Sequence, residues 1–187
     1  DRYRDHAGDQ EYNWFLTVLF PAGQLNILSC QRVVKDLNGL TPEAFLQKLS
    51  EIGTVEEAAR PELESNGCFG VYLRGKWHRV RLPADSIDRS EPERSIDYVV
   101  LSEHILRPIL GIEDIRTDPR IDFAGGTRGE SKVKKMVDSG GWAVAFTVRP
   151  VTVGQLIAVA DAGRIMPPKS TWFEPKLRSG LLIHTLG

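Results

Sequence analysis

Residues 121–148 read IDFAGGTRGESKVKKMVDSGGWAVAFTV, and this stretch decides the fold. Its apolar start predicts a short strand over Ile121–Phe123, and the glycines that follow predict a tight turn. A helix is predicted from Glu130 to Ser139, because apolar side chains recur on one face and lysines occupy the other. Ala143–Val148 is apolar except for Thr147, which is typical of a strand inside a sheet. A strand, a helix and a strand in succession indicate an α/β protein.

The N-terminal half adds further elements around this unit. Tyr12–Phe20 is aromatic and β-branched, and a turn then leads into Leu25–Ser29, so two strands are predicted. Thr41 is a predicted N-cap with proline at the first helical position, and an apolar stripe follows it. Cys68–Leu73 and Lys76–Leu82 read as a hairpin that turns at Arg74-Gly75.

Three more elements complete the predicted order. Ser95 is a predicted cap of a helix that continues through Leu106. Thr152 and Gln155 have the spacing of a capping box, and Gly163 closes the helix that they open. Leu181–Leu186 is predicted as the last strand. We therefore expect an α/β (α+β) fold, a mixed β-sheet with helices packed against it. No repeat or flexible linker interrupts residues 1–187, so a single domain is expected.

The amino-acid composition excludes several classes of protein and partner. The chain has 41% hydrophobic and 26% charged residues, which is typical of a globular domain, and a net charge of −1. That charge argues against nucleic acid as a partner, because nucleic-acid binders show a basic excess. Two cysteines are too few for a disulfide framework, and no apolar run has the length of a membrane span, so a cytoplasmic protein is expected. The first residue is Asp1 rather than Met, from which we expect either a fragment of a longer protein or a trimmed terminus.

The stretch Pro167–Gly180, PPKSTWFEPKLRSG, predicts an anion site. Its three prolines exclude regular helix. Ammonium, guanidinium and hydroxyl groups are the side chains that bind phosphate and carboxylate. The candidate ligands are Lys169, Ser170, Thr171, Lys176, Arg178 and Ser179. The alternative is a long connection whose Trp172 and Phe173 pack into the core while the cations stay in solvent.

A second candidate is the turn between the predicted strand at Ile121 and the predicted helix. Backbone amides of Gly125, Gly126 and Gly129 can approach an anion at a helix N-terminus, with Thr127 and Arg128 as side-chain ligands. The alternative is an ordinary strand-to-helix turn. If the last strand lies beside Ile121–Phe123, both loops meet at one end of the sheet, and Arg128 and Lys169 share a pocket. The four histidines are scattered, so no metal site is predicted.

Four blocks of this sequence resemble a known family. They are RVVKDLNGL at 32–40, GGTRG at 125–129, the strand and helix over 145–162, and MPPKSTWFEPKLRSG at 166–180. From about Tyr12 to its end the chain resembles the C-terminal part of the bacterial and archaeal family called domain of unknown function 1015. Cys30-Gln31 departs from the aromatic or histidine plus polar residue expected before the arginine.

The resemblance implies a function for the intact protein. Full-length members carry an upstream Asp-Gly-His-His-Arg motif, which this chain lacks, in a half similar to the partition-protein/sulfiredoxin-like domain of archaeal ADP-dependent free serine kinases. For the intact protein, the resemblance implies a small-molecule kinase that uses ATP or ADP with magnesium. It also implies a phosphorylated small molecule or nucleotide as partner. Arg128, Lys169, Lys176 and Arg178 would then neutralise phosphate charge. No catalytic residue is assigned. The alternative is a non-catalytic domain that docks on a missing N-terminal half or on a second copy.

Overall fold

The computed structural model describes residues 11–60 and 62–185. The chain divides into two compact units. The larger is Ile27–Trp172, and the smaller consists of Asp1–Asn26 with Phe173–Gly187. The expectation of a single domain stays a prediction. None of the helices in the described ranges combines the length and the apolarity that crossing a bilayer requires.

The centre of the larger unit is a six-stranded antiparallel sheet. Its strands, in chain order, are β2 (Cys30–Val34), β3 (Thr54–Ala58), β4 (Cys68–Leu73), β5 (Lys76–Arg81), β6 (Ile121–Gly125) and β7 (Val144–Thr147), and β1 (Asn26–Leu28) precedes them. The strand order is β3-β5-β4-β7-β2-β6. A final strand, β8 (Trp172–Glu174), pairs with β1 in a separate two-stranded sheet. The register places Cys30 opposite Gly125, so the start of β2 and the end of β6 coincide.

Helices cover both faces of this sheet. They are α1 (Pro42–Ile52), α2 (Asp97–Leu101), α3 (Gly129–Asp138) and α4 (Val153–Asp161), and a π-helical turn, Ser102–Leu106, follows α2. On one face, side chains of α1, α2 and α4 share a core with Val34 and Phe146. On the other, α3 packs through Val133 and Val137 against Val33 and Ala145. The predicted α/β class, a sheet with helices packed against it, is confirmed, and each described strand pair is antiparallel.

Several local predictions are confirmed in detail. Thr41 caps α1, since its side chain accepts a hydrogen bond from the Ala44 amide at 3.1 Å. The capping box of α4 forms, because the Thr152 hydroxyl oxygen accepts from the Gln155 amide and the Gln155 side chain accepts from the Thr152 amide. The hairpin turns at Arg74-Gly75, where both residues have positive φ, the geometry that a two-residue hairpin turn needs.

Other local predictions are wrong. Tyr12–Phe20 forms no strand, and neither do residues 181–185 of the predicted last strand, while residue 186 lies outside the described residues. Their apolar side chains are largely exposed, and β-propensity alone forms no ladder without a neighbouring strand. The last strand therefore does not lie beside β6, whose partner is β2. Ser95 does not cap α2 either; Ile96 stands at the N-cap without a side-chain hydrogen bond.

Candidate functional site

A buried arginine lies at the middle of β2. The backbone of Arg32 is opposite Phe123 of β6 on one side and Phe146 of β7 on the other, so two ladders hold it. Side chains alternate along a strand, which places Arg32 on the face of α1, α2 and α4, and Gln31 on the face of α3. Arg32 is 1% exposed. A charge so fully removed from water is costly unless its surroundings compensate for it.

The compensation comes from aromatic rings and backbone carbonyls. The guanidinium carbon lies 3.9 Å from the centroid of the Tyr98 ring and 5.4 Å from that of Phe123. Nη1 donates to the carbonyl oxygen of Cys30, and Nη2 donates to that of Pro168 at 3.5 Å. Among the described residues no carboxylate pairs with Arg32. Burial lowers the pKa of the guanidinium, but arginine remains charged at neutral pH. The guanidinium therefore carries a buried positive charge that no described carboxylate balances.

Cys30 and Tyr98 complete this centre. The Cys30 amide donates to the Tyr98 hydroxyl oxygen at 2.9 Å, which ties the start of β2 to the first turn of α2. Burial raises the pKa of the Tyr98 hydroxyl and that of the Cys30 thiol. The positive charges of Arg32 and Lys169 act in the opposite direction on the pKa of Cys30. Lys169 therefore stands within electrostatic range of the start of β2.

The first half of the PPKSTW segment forms a tight turn beside Arg32. Ser170 is 1% exposed, and its hydroxyl donates to the Pro167 carbonyl at 2.6 Å. Lys169 has φ 54°, a left-handed conformation that a lysine seldom adopts, and its side chain is exposed. Thr171 is half-buried. The Ser170 hydroxyl thus fastens the turn, while the turn presents Lys169 to solvent.

Trp172 brings this segment to the glycine turn. A β-carbon added at Gly125 would lie 2.8 Å from Trp172 Cζ3, and one added at Gly126 would lie 3.4 Å from Cε2. The indole ring therefore rests on bare backbone, where a side chain would displace it. Two segments that are about forty residues apart in the sequence meet in this way at the end of β6. The strand pairing on which the sequence prediction made this meeting depend does not form.

The glycine turn leads directly into α3. Thr127 and Arg128 are exposed, and Arg128 stands at the N-cap, where it makes no side-chain hydrogen bond to the helix. The Gly129 amide donates to the Gly126 carbonyl at 3.0 Å, so that amide is engaged within the turn. The first turn of α3 is thus without a side-chain cap. That Arg128 and Lys169 share one pocket stays a prediction.

The remaining predicted ligands, Lys176, Arg178 and Ser179, belong to the smaller unit and are exposed. Their participation in the same site stays a prediction. Within residues 11–60 and 62–185, no three His, Cys, Asp or Glu side chains gather as a metal ion would require.

Sequence reasoning did not single out Arg32, Cys30, Tyr98 or Phe123 as a centre. The sequence signal that could have found this centre is the position of Arg32, two residues from Cys30 and two from Val34. In a strand, that spacing places the arginine on the same face as these apolar residues. Tyr98 carries no such signal, because its approach to Arg32 depends on how α2 packs over the sheet.

These features define an α/β protein with a buried cation beneath a lysine-bearing turn. The chain belongs to the family described as Protein of unknown function (DUF1015), whose model matches residues 1–101, more than half of the 187 residues. The glycine turn and the PPKSTW segment follow the matched region. Among curated proteins, none matches this chain.

Three solved structures show partial likeness. A free serine kinase in complex with AMP is 12% identical with a TM-score of 0.47, over 80% of this chain and 54% of that chain. A variant of free serine kinase in complex with ADP is 16% identical with a TM-score of 0.45, over 80% and 54%. A conserved hypothetical protein from Pyrococcus furiosus is 11% identical with a TM-score of 0.45, over 80% and 56%. The chain thus spans little more than half of their length, and values this low say nothing about ligands.

Proposed function

We propose that this chain is the anion-binding part of a cytoplasmic small-molecule phosphoryl-transfer enzyme. The observation that carries the proposal is the buried Arg32, which lacks a carboxylate among the described residues and lies beneath the turn of Lys169. A structural ion pair would need an acid at this place. A site for an external anion would instead leave the positive charge without a carboxylate partner, as it is among the described residues here.

The proposed roles follow from exposure. Lys169 contacts the phosphate, because its side chain is exposed while its backbone is held by the Ser170 turn. Arg128 contributes a second mobile cation from the start of α3. Arg32 does not touch the ligand; it supplies a fixed positive potential from below. Phosphoryl transfer depends mainly on such positioning and charge neutralisation. Thr127, Ser170, Thr171, Lys176, Arg178 and Ser179 remain proposed as further ligands, with the backbone of Gly125, Gly126 and Gly129.

The proposed partner is a nucleotide or a phosphorylated small molecule, and ATP or ADP with magnesium is the proposed cofactor of the intact protein. The test is the melting temperature in millimolar inorganic phosphate, ADP or phosphoserine. We expect at least one of them to raise it, and Lys169→Ala to remove most of that rise. Lys48→Ala is the matched control, since Lys48 is an exposed lysine on α1 that pairs with Glu51 at 2.9 Å. An unchanged melting temperature with all three ligands, or an equal rise in Lys169→Ala, contradicts the proposal.

One observation favours a second candidate, a non-catalytic domain that docks on another polypeptide. The smaller unit exposes large apolar side chains, with Phe15 at 87% and Leu19 at 88%. Contiguous apolar surface on a protein often marks an interface. Under this candidate Phe15→Glu weakens association with a second copy or with the N-terminal half supplied in trans, as measured by sedimentation velocity. Ile165→Glu is the control, because Ile165 is equally exposed but belongs to the larger unit. Association that neither variant alters counts against it.

A further inference from the structure

A polar groove lies on the other face of β2, toward α3. Its volume is about 410 Å³, and its lining includes Ser29, Gln31, Thr147 and Arg149. Gln31 is two residues from Val33, and Thr147 is two residues from Ala145, both of which pack under α3. Since side chains alternate along strands, Gln31 and Thr147 point to the α3 face and Arg32 points away from it. This Thr147 groove is therefore separate from the site around Arg32.

One of the residues that line the groove, Thr147, carries an unsatisfied hydroxyl. Thr147 is 4% exposed, and its Oγ1 has no hydrogen-bond partner in the described part of the chain. Native proteins leave few buried polar groups unpaired, because each loses its bonds to water without replacement. An unpaired hydroxyl in the wall of a cavity is explained if a ligand supplies the partner.

Two other residues that line the groove, Gln31 and Ser29, are held in place by hydrogen bonds. Gln31 Nε2 donates to Ser29 Oγ at 2.7 Å, and Gln31 Oε1 accepts from the Val148 amide at 2.9 Å. Gln31 therefore uses both ends of its amide and links the start of β2 to the end of β7. Because Ser29 accepts in that bond, its own hydroxyl proton remains available to a ligand.

The charges in the groove limit what it can hold. Arg149 is half-buried and forms no ion pair with another described residue, although its charge acts to lower the pKa of Asp97, whereas Arg60 pairs with Glu130 at 3.1 Å. The start of α3, a helix of ten residues without a side-chain cap, adds partial positive charge beside Glu130. Glu62 also lines the groove, so two acids balance two arginines. A phosphate dianion would face both carboxylates, while a monoanion needs only the one unpaired guanidinium.

We propose that the Thr147 groove binds a small carboxylate. The carboxylate pairs with the Arg149 guanidinium, and the hydroxyls of Thr147 and Ser29 donate to its oxygens. This inference does not depend on the proposed phosphate site, which lies on the opposite face of β2.

The test uses lactate as the probe, lactamide as its uncharged analogue, and inorganic phosphate, each titrated calorimetrically into the whole chain. We expect lactate to bind at least about tenfold more tightly than lactamide, the usual contribution of a charge-assisted hydrogen bond. Arg149→Met should reduce lactate binding to the level of lactamide. Arg116→Met is the matched control, because Arg116 is exposed and pairs with Asp114 away from the groove. Failure of lactate to bind, or lactate binding that Arg149→Met leaves intact, overturns the proposal.

Thr147→Val is a second test, because it should stabilise the free protein and weaken the binding of lactate. Without ligand it should raise the melting temperature, since it removes an unpaired buried hydroxyl and keeps the shape of the side chain. With lactate it should weaken binding by about three- to tenfold, the range for one neutral hydrogen bond. A lower melting temperature in Thr147→Val would mean that the hydroxyl already has a partner in the protein, and the proposal would be wrong. Weaker lactate binding in this variant with an unchanged phosphate response would show that the two sites are separate.

Discussion

Replacing Arg32 distinguishes a structural charge from one kept for an anion. Arg32→Ala removes a fully buried side chain, its contact with the Tyr98 ring at 3.9 Å and its donors to two carbonyls. Truncation of a large buried side chain costs about 3 kcal/mol, and in a chain of this size that lowers the melting temperature by about 6–12 °C. Arg32→Met keeps the length of the stem and removes the charge. Because an apolar residue can replace a buried charge at little cost, its stability should lie within about 1 kcal/mol of the wild type.

The assay is urea unfolding of the wild type and both variants, with and without millimolar phosphate or ADP. If Arg32 provides the potential that attracts an anion, Arg32→Met folds normally and loses the stabilisation by ligand. The reasoning is refuted if Arg32→Met is as unstable as Arg32→Ala while the ligand still stabilises it. Arg32 would then serve only to hold Pro168 and Cys30 in place.

Three further predictions concern the surrounding structure. Gly125→Ala should lower stability by about 1–3 kcal/mol, because the new methyl group overlaps the Trp172 ring, whereas Gly141→Ala, with open space around it, should not; thermal unfolding compares the two. Burial raises the pKa of Asp97 in the folded protein, so its contribution to stability is greatest below the unfolded carboxyl pKa of about 4 and declines as the pH rises to the folded value; Asp97→Asn should remove this component from a series of urea titrations. Thr41→Ala should cost about 1 kcal/mol through loss of the α1 cap, measured by the same titrations.

The parts of the fold that follow from sequence are those whose signal is local. The starts of α1 and α4 could be predicted from Thr41 and Thr152, because a helix cap acts within four residues of the chain. The hairpin could be predicted from Arg74-Gly75, because the positive φ that the turn needs restricts which residues can occupy it. These elements formed with boundaries within a residue or two of those expected.

Strand β2 escaped prediction for a physical reason. Gln31 and Arg32 are both buried, on opposite faces, so the alternation of polar and apolar residues that marks a half-exposed strand is absent. The opposite error occurred at Leu181–Ile183, where a β-prone sequence found no ladder. The glycine turn and Lys169 of the candidate site were predicted from local sequence. The buried Arg32 was not, because its surroundings are contacts between residues far apart in the chain.

Strand β2 has a neighbour hydrogen-bonded along each side, and this has a kinetic consequence. The guanidinium of Arg32, which β2 carries, is buried and held in a fixed position, so it does not move toward an arriving anion. Capture of an anion above it should accordingly speed up as ionic strength falls, since screening is the main control on an immobile charge. Solvent viscosity should matter only as far as it slows diffusion, because no hinge has to close before the field is felt.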